Sequence, residues 1–168
     1  RQHWRTGLRP EMAYCLMRLA LDAIDRPVAA NSMVICDPLC GSGAILVESA
    51  CQWPHHLYVG GDLESEALEV GLGRQEHAHL QAPIEWCQWD MCRRIPFWRS
   101  NSIDIVCTDM PFGKRHRVHP ALPRRLLSHT WSVLRPGGRA VILTGQLQRM
   151  LQQVRILQDK GRQCSRLV

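Results

Sequence analysis

No segment of this 168-residue chain is long and apolar enough to cross a bilayer, because its longest apolar stretches, "AVIL" and "LMRLALDAI", are short or interrupted by charge. The first residues, "RQHWRTG", lack the apolar core of a signal peptide. Both absences lead us to expect a soluble intracellular chain, in the cytoplasm or alternatively the nucleus. Eight cysteines are present but show no regular small-domain framework, and Cys15, Cys36 and Cys107 fall in apolar segments, so reduced, buried thiols are expected rather than disulfides. "CDPLC" and "CQWDMC" have the wrong spacing for a zinc knuckle, and no histidine pair completes a ligand set, so no metal site is expected. Nor is there an internal repeat, a low-complexity tract or a composition break. One domain spanning residues 1–168 is expected, with enough apolar content (45%) to bury a core.

The formal charge is +6, and basic residues gather in "RRIPFWR", "GKRHRVH" and "PRR", which suits a polyanionic partner or, as the plainer reading, a solvated surface. Along the chain, residues 10–25 carry apolar side chains at 12, 15, 16, 19 and 24 behind Pro10, which predicts an amphipathic helix. "SMVICD" (32–37) then reads as a strand, "PLCGSG" as a tight turn and "AILVESACQW" as a helix. The pattern repeats with "LYVGGD" (57–62), the helix "ESEALEVGLGRQEHAHL" and "IEWCQWD" (84–90). "SIDIVCTD" (102–109) precedes a loop and the helix "PALPRRLLSHTWSVL". "RPGG" reads as a turn into the strand "RAVILTG", and "QLQRMLQQVRILQDK" as a last helix. Strands that run continuously apolar and alternate with helices predict an α/β fold, a doubly wound, mainly parallel sheet covered on both faces.

In such a sheet ligands sit beyond the carboxyl ends of the strands. The first end is "DPLCGSG": Asp37 closes the strand, and Cys40, Gly41 and Gly43 make the turn, with glycines that also let a ligand come close. Leu46 stands where a third dinucleotide-site glycine would be, and no Lys-Ser/Thr follows, so a ligand without pyrophosphate is favoured. The second end, "GGDLESEAL", places Asp62 and Leu63 there, and Asp62 lies 21 residues after Gly41, where a carboxylate can accept from both ribose hydroxyls. The third, "QWDMC", offers Asp90 to an exocyclic amine such as adenine's and Met91 to the ring. The fourth, "TDMPFG", sets Asp109, Met110, Pro111, Phe112 and Gly113 in a row; alone it is good turn chemistry. Three acids following a glycine turn suit an adenosine-bearing ligand.

These stretches resemble the class I S-adenosylmethionine-dependent methyltransferases, and more closely the THUMP-domain-containing RNA guanosine N2-methyltransferases. "TGLRPEMAY" resembles the family's methionine-end motif, "DPLCGSGAILVESA" its cofactor loop and "GGDLESEAL" its ribose motif. "WDMCRRIPFWRSNSIDIVCTDMPFGKR" is similar to its most specific series, with Met110 and Ile95 in place of leucines. The resemblance implies a Rossmann-like fold, S-adenosyl-L-methionine as cofactor, and N2 methylation of guanosine, chiefly in tRNA. It implies cofactor contacts from Arg9 and Pro10, with a solvated arginine at a helix start as the alternative for Arg9. It also implies a small zinc-binding activator subunit as partner. The family's RNA-binding THUMP region and its final antiparallel strand pair are expected to be missing from this sequence.

Methyl transfer from a sulfonium is an in-line displacement, and an exocyclic amine is a weak nucleophile because its lone pair is delocalised. Asp109 and the Met110 carbonyl can accept the amine's two N–H bonds, favouring the pyramidal nitrogen that attacks. Pro111 fixes the backbone, Phe112 can stack on the base, and Lys114, Arg115 and Arg117 follow within reach of phosphates or of solvent. Two other readings stay open: an amino-methyltransferase of DNA bases or protein glutamine, against which "DMPFG" counts, and a non-catalytic RNA- or partner-binding module on the same fold.

Overall fold

Five strands form where the chain runs apolar and β-branched: β1 (Val34–Asp37), β2 (Leu57–Asp62), β3 (Ile84–Gln88), β4 (Ile103–Asp109) and β5 (Leu134–Leu143). In the computed structural model, which describes residues 7–24, 32–93, 99–111 and 119–159, they make one sheet in the order β3-β2-β1-β4-β5, every pair parallel. Five helices accompany them: α1 (Pro10–Asp22), α2 (Ala44–Gln52), α3 (Ser65–His77), α4 (Leu122–Val133) and α5 (Leu147–Asp159). The chain runs outward from β1 to β3 and then returns to lay β4 on the other side of β1. Strand order therefore reverses between β1 and β4, as the expected doubly wound fold requires.

Period-two alternation divides the strand side chains between two faces. Ile35, Ile105 and Cys107 pack with Leu16, Met17 and Leu46 under α1 and α2. Cys36, Val106 and Ala140 point the other way, while Leu126, Leu127, Met150 and Met110 join α4 to α5 on that side. Burial on both faces is why the centre of β4, Ile105 to Cys107, reads as a continuous apolar run.

Two elements differ from the sequence reading. In α1 the buried stripe is Ala13, Leu16, Met17, Ala20 and Leu21, whereas Met12, Cys15 and Leu19 lie outside. Small alanines let the helix approach its neighbours, and a search for large apolar residues passes over them. "RPGG" is not a turn ahead of β5 but a bulge within it. Between the pairs Ile103↔Leu134 and Ile105↔Arg139, β5 advances five residues against two of β4. Gly137 carries the positive φ of +79°, and a Cβ on Gly138 would stand 2.9 Å from the Asp104 carbonyl oxygen. Asp104 itself is fully buried at the start of β4, where its Oδ2 accepts from the Val34 amide at 2.9 Å and from Arg135 at 2.8 Å. It ties β1, β4 and β5 together at the end of the sheet opposite the expected site.

Candidate active site

Asp62, Asp37 and Asp109 close β2, β1 and β4, three adjacent strands, at one edge of the sheet; Asp37 is in register with Gly60, and Cys36 with Val106, so Asp62 and Asp109 extend past it on either side. Asp37 is the central one and is buried. Burial is the main cause that pushes its carboxyl up to about 7; the Thr108 hydroxyl and the Leu39 amide beside it pull the other way, and the charges of Asp62 and Asp109 add to the rise. Its Oδ1 accepts from Leu39 N at 3.1 Å, which starts the turn after β1. Asp109 is half-buried, and burial raises it to about 6. Its Oδ1 is shut off from solvent with no hydrogen-bond partner among the described residues. An orphaned carboxylate oxygen is costly unless something absent from the free chain supplies a donor.

The turn between β1 and α2 is held by its own hydrogen bonds. Cys40 N donates to Gly61 O at 2.9 Å, Gly41 N to Asp62 Oδ2 at 2.7 Å and Gly43 N to Cys40 O at 2.8 Å. Amides already committed in this way are not free to cradle phosphates, in keeping with a ligand that lacks them. The two glycines have different jobs. Gly41 has φ +51° and a Cβ there would meet nothing within 4 Å, so the space above it is open to a ligand. Gly43 has φ +75°, but a Cβ there would come within 2.3 Å of the Trp86 ring, so its missing side chain makes room for the protein's own tryptophan. Cys40 is buried beside Gly60, and burial drives its thiol far above the normal range, which leaves it an apolar filler rather than a nucleophile.

Asp62 spends part of both oxygens on backbone, Oδ2 on Gly41 N and Oδ1 on Glu64 N at 3.0 Å. A carboxylate has about four acceptor sites, so two hydroxyls can still be accommodated. Beyond β3, Asp90 Oδ1 accepts from Cys92 N at 2.8 Å and Oδ2 lies 3.4 Å from Arg93 Nε, while the Met91 side chain is buried in the α4/α5 core. Leu63 is exposed, and its carbonyl takes the Gln88 amide at 3.0 Å. Met110 is fully buried and its amide donates to Leu143 O at 2.8 Å, which fixes the chain as it leaves β4 toward Pro111. Arg9 caps α1 through its backbone carbonyl, with Pro10 at the first helical position; both are exposed. Gly7, two residues before Arg9, passes beside Ser42 of the turn. Phe112, Gly113, Lys114, Arg115 and Arg117, together with Trp98, lie outside the described residues.

Sequence reasoning missed two tryptophans that shape this edge. Trp89 lies so close over Gly61 that a Cβ there would sit 1.8 Å from its ring, and its indole N–H donates to Pro38 O at 2.9 Å. Trp86 fills the space left by Gly43 and Gly71 and donates to Gln75 Oε1 at 2.9 Å. The signal was present: glycines inside the strand "VGGD" and the helix "EVGLG" mark the close approach of something large. Among the described residues, no group of histidine, cysteine or acidic side chains could hold a metal ion. No described helix is long and apolar enough to cross a membrane.

A doubly wound parallel sheet with acids lined along its carboxyl edge at the switch point is the architecture of the class I methyltransferases. The comparisons with known proteins agree. TrmN from Thermus thermophilus superimposes with a TM-score of 0.74 at 26% identity, over 90% of this chain and 42% of that one. An RNA methyltransferase from Salinibacter ruber, solved with S-adenosyl-L-homocysteine, shares the fold with a TM-score of 0.60 at 16% identity, over 82% of this chain and 76% of its own. Residues 1–164 match the family model UPF0020, "RMKL-like, methyltransferase domain", and the chain belongs to that family. The U6 snRNA (guanine-N(2))-methyltransferase THUMPD2 of Bos taurus is 35% identical over 140 residues, 83% of this chain and 26% of that protein. The tRNA (guanine(6)-N(2))-methyltransferase THUMP3 of Mus musculus is 36% identical over 160 residues, 83% of this chain and 29% of that protein. The chain thus spans between a quarter and a third of the length of these two relatives.

Proposed function

We propose that this chain is the catalytic domain, over residues 1–168, of an S-adenosyl-L-methionine-dependent RNA methyltransferase that modifies the N2 amine of guanosine, in tRNA first. The observation that carries the reading is the partnerless Oδ1 of Asp109, an acceptor held at the edge of the sheet beside two further acids. Relatives acting on tRNA and U6 snRNA guanines support the substrate class, and the negative edge suits a ligand with a cationic sulfonium. The residues present fit the cofactor: open space above Gly41, spare acceptor sites on Asp62 for ribose hydroxyls, and Asp90 with the Met91 backbone at the adenine end. Arg9 and Pro10 serve the methionine end, a reading supported by Gly7 passing beside Ser42 of the turn; Asp37 and Cys40 belong to the cofactor contacts, and Leu63 flanks the ribose.

When bound, the cofactor supplies an electrophilic methyl carbon. Asp109 then accepts an N–H of the guanine amine, with the Met110 carbonyl as second acceptor, and so localises the nitrogen lone pair. The cofactor held there would donate its methyl group to the nitrogen and keep the carbon–sulfur bonding pair, and the nitrogen's surplus proton would leave by way of Asp109 or water. Pro111 holds the backbone at this point, and Phe112 stacks on the base. Positioning supplies most of the rate. Lys114, Arg115 and Arg117 follow as phosphate contacts. The family resemblance further supports a small zinc-binding activator subunit as partner and a cytoplasmic or nuclear place of work.

The test is calorimetry of the full-length protein with S-adenosylmethionine, followed by nucleoside mass spectrometry of a tRNA transcript incubated with both. Binding and N2-methylguanosine are expected. Absence of cofactor binding, or a methyl group on another base, contradicts the reading.

A further inference from the structure

The charge of this chain is divided sharply along its length. Fourteen of its fifteen acidic residues precede residue 110, whereas residues 110–168 carry twelve of the twenty-one lysines and arginines and one acid, Asp159. The fold turns this division into two faces. The helices α1, α2 and α3 hold Glu11, Asp22, Glu48, Glu66, Glu69 and Glu76 against Arg18 and Arg74. On the opposite face α4 and α5 pack together, and no acid lies between Asp109 and Asp159.

Both α4 and α5 begin toward the carboxyl edge of the parallel sheet, α4 being the next helix after β4 and α5 the next after β5. Arg124 and Arg125 lie in the first turn of α4, and Arg149 in the first turn of α5. Leu143, which ends β5 just before α5, is in register with Asp109. Arg125 lies near enough to Cys92 and His129 for its charge to act on both, which sets the start of α4 beside the Asp90–Cys92 turn. Arg124 and Arg149 are exposed, and neither they nor Arg125 has a carboxylate partner among the described residues; Arg149 reaches only the Gln146 amide oxygen, at 3.2 Å. Arg135 is different, being neutralised by Asp104. Cations in the first turn oppose the helix dipole. Three arginines placed against that preference on α4 and α5, with no carboxylate partner among the described residues, fit an anion that is not part of the chain.

We propose that Arg124, Arg125 and Arg149 form the track for the RNA sugar–phosphate backbone on either side of the target nucleotide, so that RNA crosses the α4/α5 side of the rim and avoids the acidic α1–α3 side. The inference rests on the RNA methyltransferase reading and adds residues and a direction of approach to it. Phosphate contacts of this kind set register and orientation without reading sequence.

The experiment measures binding of an unmodified tRNA transcript to the full-length protein across a salt series, for wild type, for the triple variant Arg124→Gln/Arg125→Gln/Arg149→Gln, and for Arg18→Gln on the acidic face. Each lost phosphate contact lowers the slope of log K against log salt by about 0.7–0.9. The triple variant should lose roughly 2 from that slope and at least tenfold in affinity at low salt, with S-adenosylmethionine affinity unchanged, while Arg18→Gln behaves as wild type. An unchanged slope in a triple variant that still binds the cofactor overturns the track. Weaker binding of polyglutamate alone, with tRNA binding intact, assigns the surface to an acidic protein and overturns it too. A wild-type protein that binds cofactor but no RNA removes the underlying RNA reading instead, so the two failures are distinguishable.

Discussion

Asp109 and Asp37 are neighbours with opposite consequences of the same cause. Burial lifts Asp109 to about 6, so at neutral pH it is ionised and able to accept an amine N–H. Methyl transfer at saturating cofactor should therefore fall about tenfold per pH unit below pH 6 and level off above it, and Asp109→Asn should lose that limb together with most of its rate. Asp37 rises from 3.8 to about 7. Between those values the folded chain keeps a proton that the unfolded chain has released, so stability falls as pH rises through that window, by at most ~1.4 kcal/mol per pH unit. In thermal melts without ligand, Asp37→Asn should gain on wild type from about pH 4 to pH 7 and gain nothing further above it. A difference between the two proteins that stays constant with pH would contradict the burial of an ionisable group there.

At the scale of elements, glycines separate folding from binding. Gly61→Ala drives a methyl group into the Trp89 ring, an overpacking that costs about 1–3 kcal/mol or more, and should lower the melting temperature. Gly41→Ala meets open space and costs about 1–2 kcal/mol for its left-handed backbone alone, yet it projects into the space left for cofactor. Calorimetry should show it weakening S-adenosylmethionine binding by more than its loss of stability explains; unchanged affinity would move the cofactor away from this turn. These pairs also mark how far the elements were legible. β1 and β4 stood out because their buried centres, "VIC" and "IVC", are continuously apolar, and the acids that close β1, β2 and β4 could be read directly. The inner face of α1 was misread because apolar residues lie all round this helix, and the buried stripe mixes Ala13 and Ala20 with Leu16, Met17 and Leu21. β5 began five residues early because a bulge and a turn share the residues Pro and Gly. That Trp86 and Trp89 fill glycine gaps depends on register between strands distant in sequence, which no local pattern contains.

The whole molecule has a mechanical end and a chemical end. At the first, the buried Asp104 joins three strands. Asp104→Ala leaves the Val34 amide without its acceptor, while the partly exposed Arg135 can turn to water, so a cost of about 1–3 kcal/mol is expected in denaturant unfolding, with little change in cofactor affinity. At the second, acids from adjacent strands gather at one edge, where Asp109 Oδ1 has no partner among the described residues, beside helices whose charge is opposite. The alternation of strands and helices, the glycine turn and the acids at successive strand ends made this end legible in advance. The division of charge between the two helical faces became visible only once α4 and α5 were seen on one side.

The central claim is that Asp109 serves the substrate amine and not the cofactor. Its most direct test is single-turnover transfer of a labelled methyl group to a tRNA transcript by full-length Asp109→Ala protein, at S-adenosylmethionine concentrations shown by calorimetry to saturate that variant. The account predicts cofactor binding within about threefold of wild type, with transfer reduced by at least the 10²–10³-fold seen when a single transition-state hydrogen-bonding group is removed. Transfer at the wild-type rate, or a loss fully restored by raising the cofactor concentration, would contradict it.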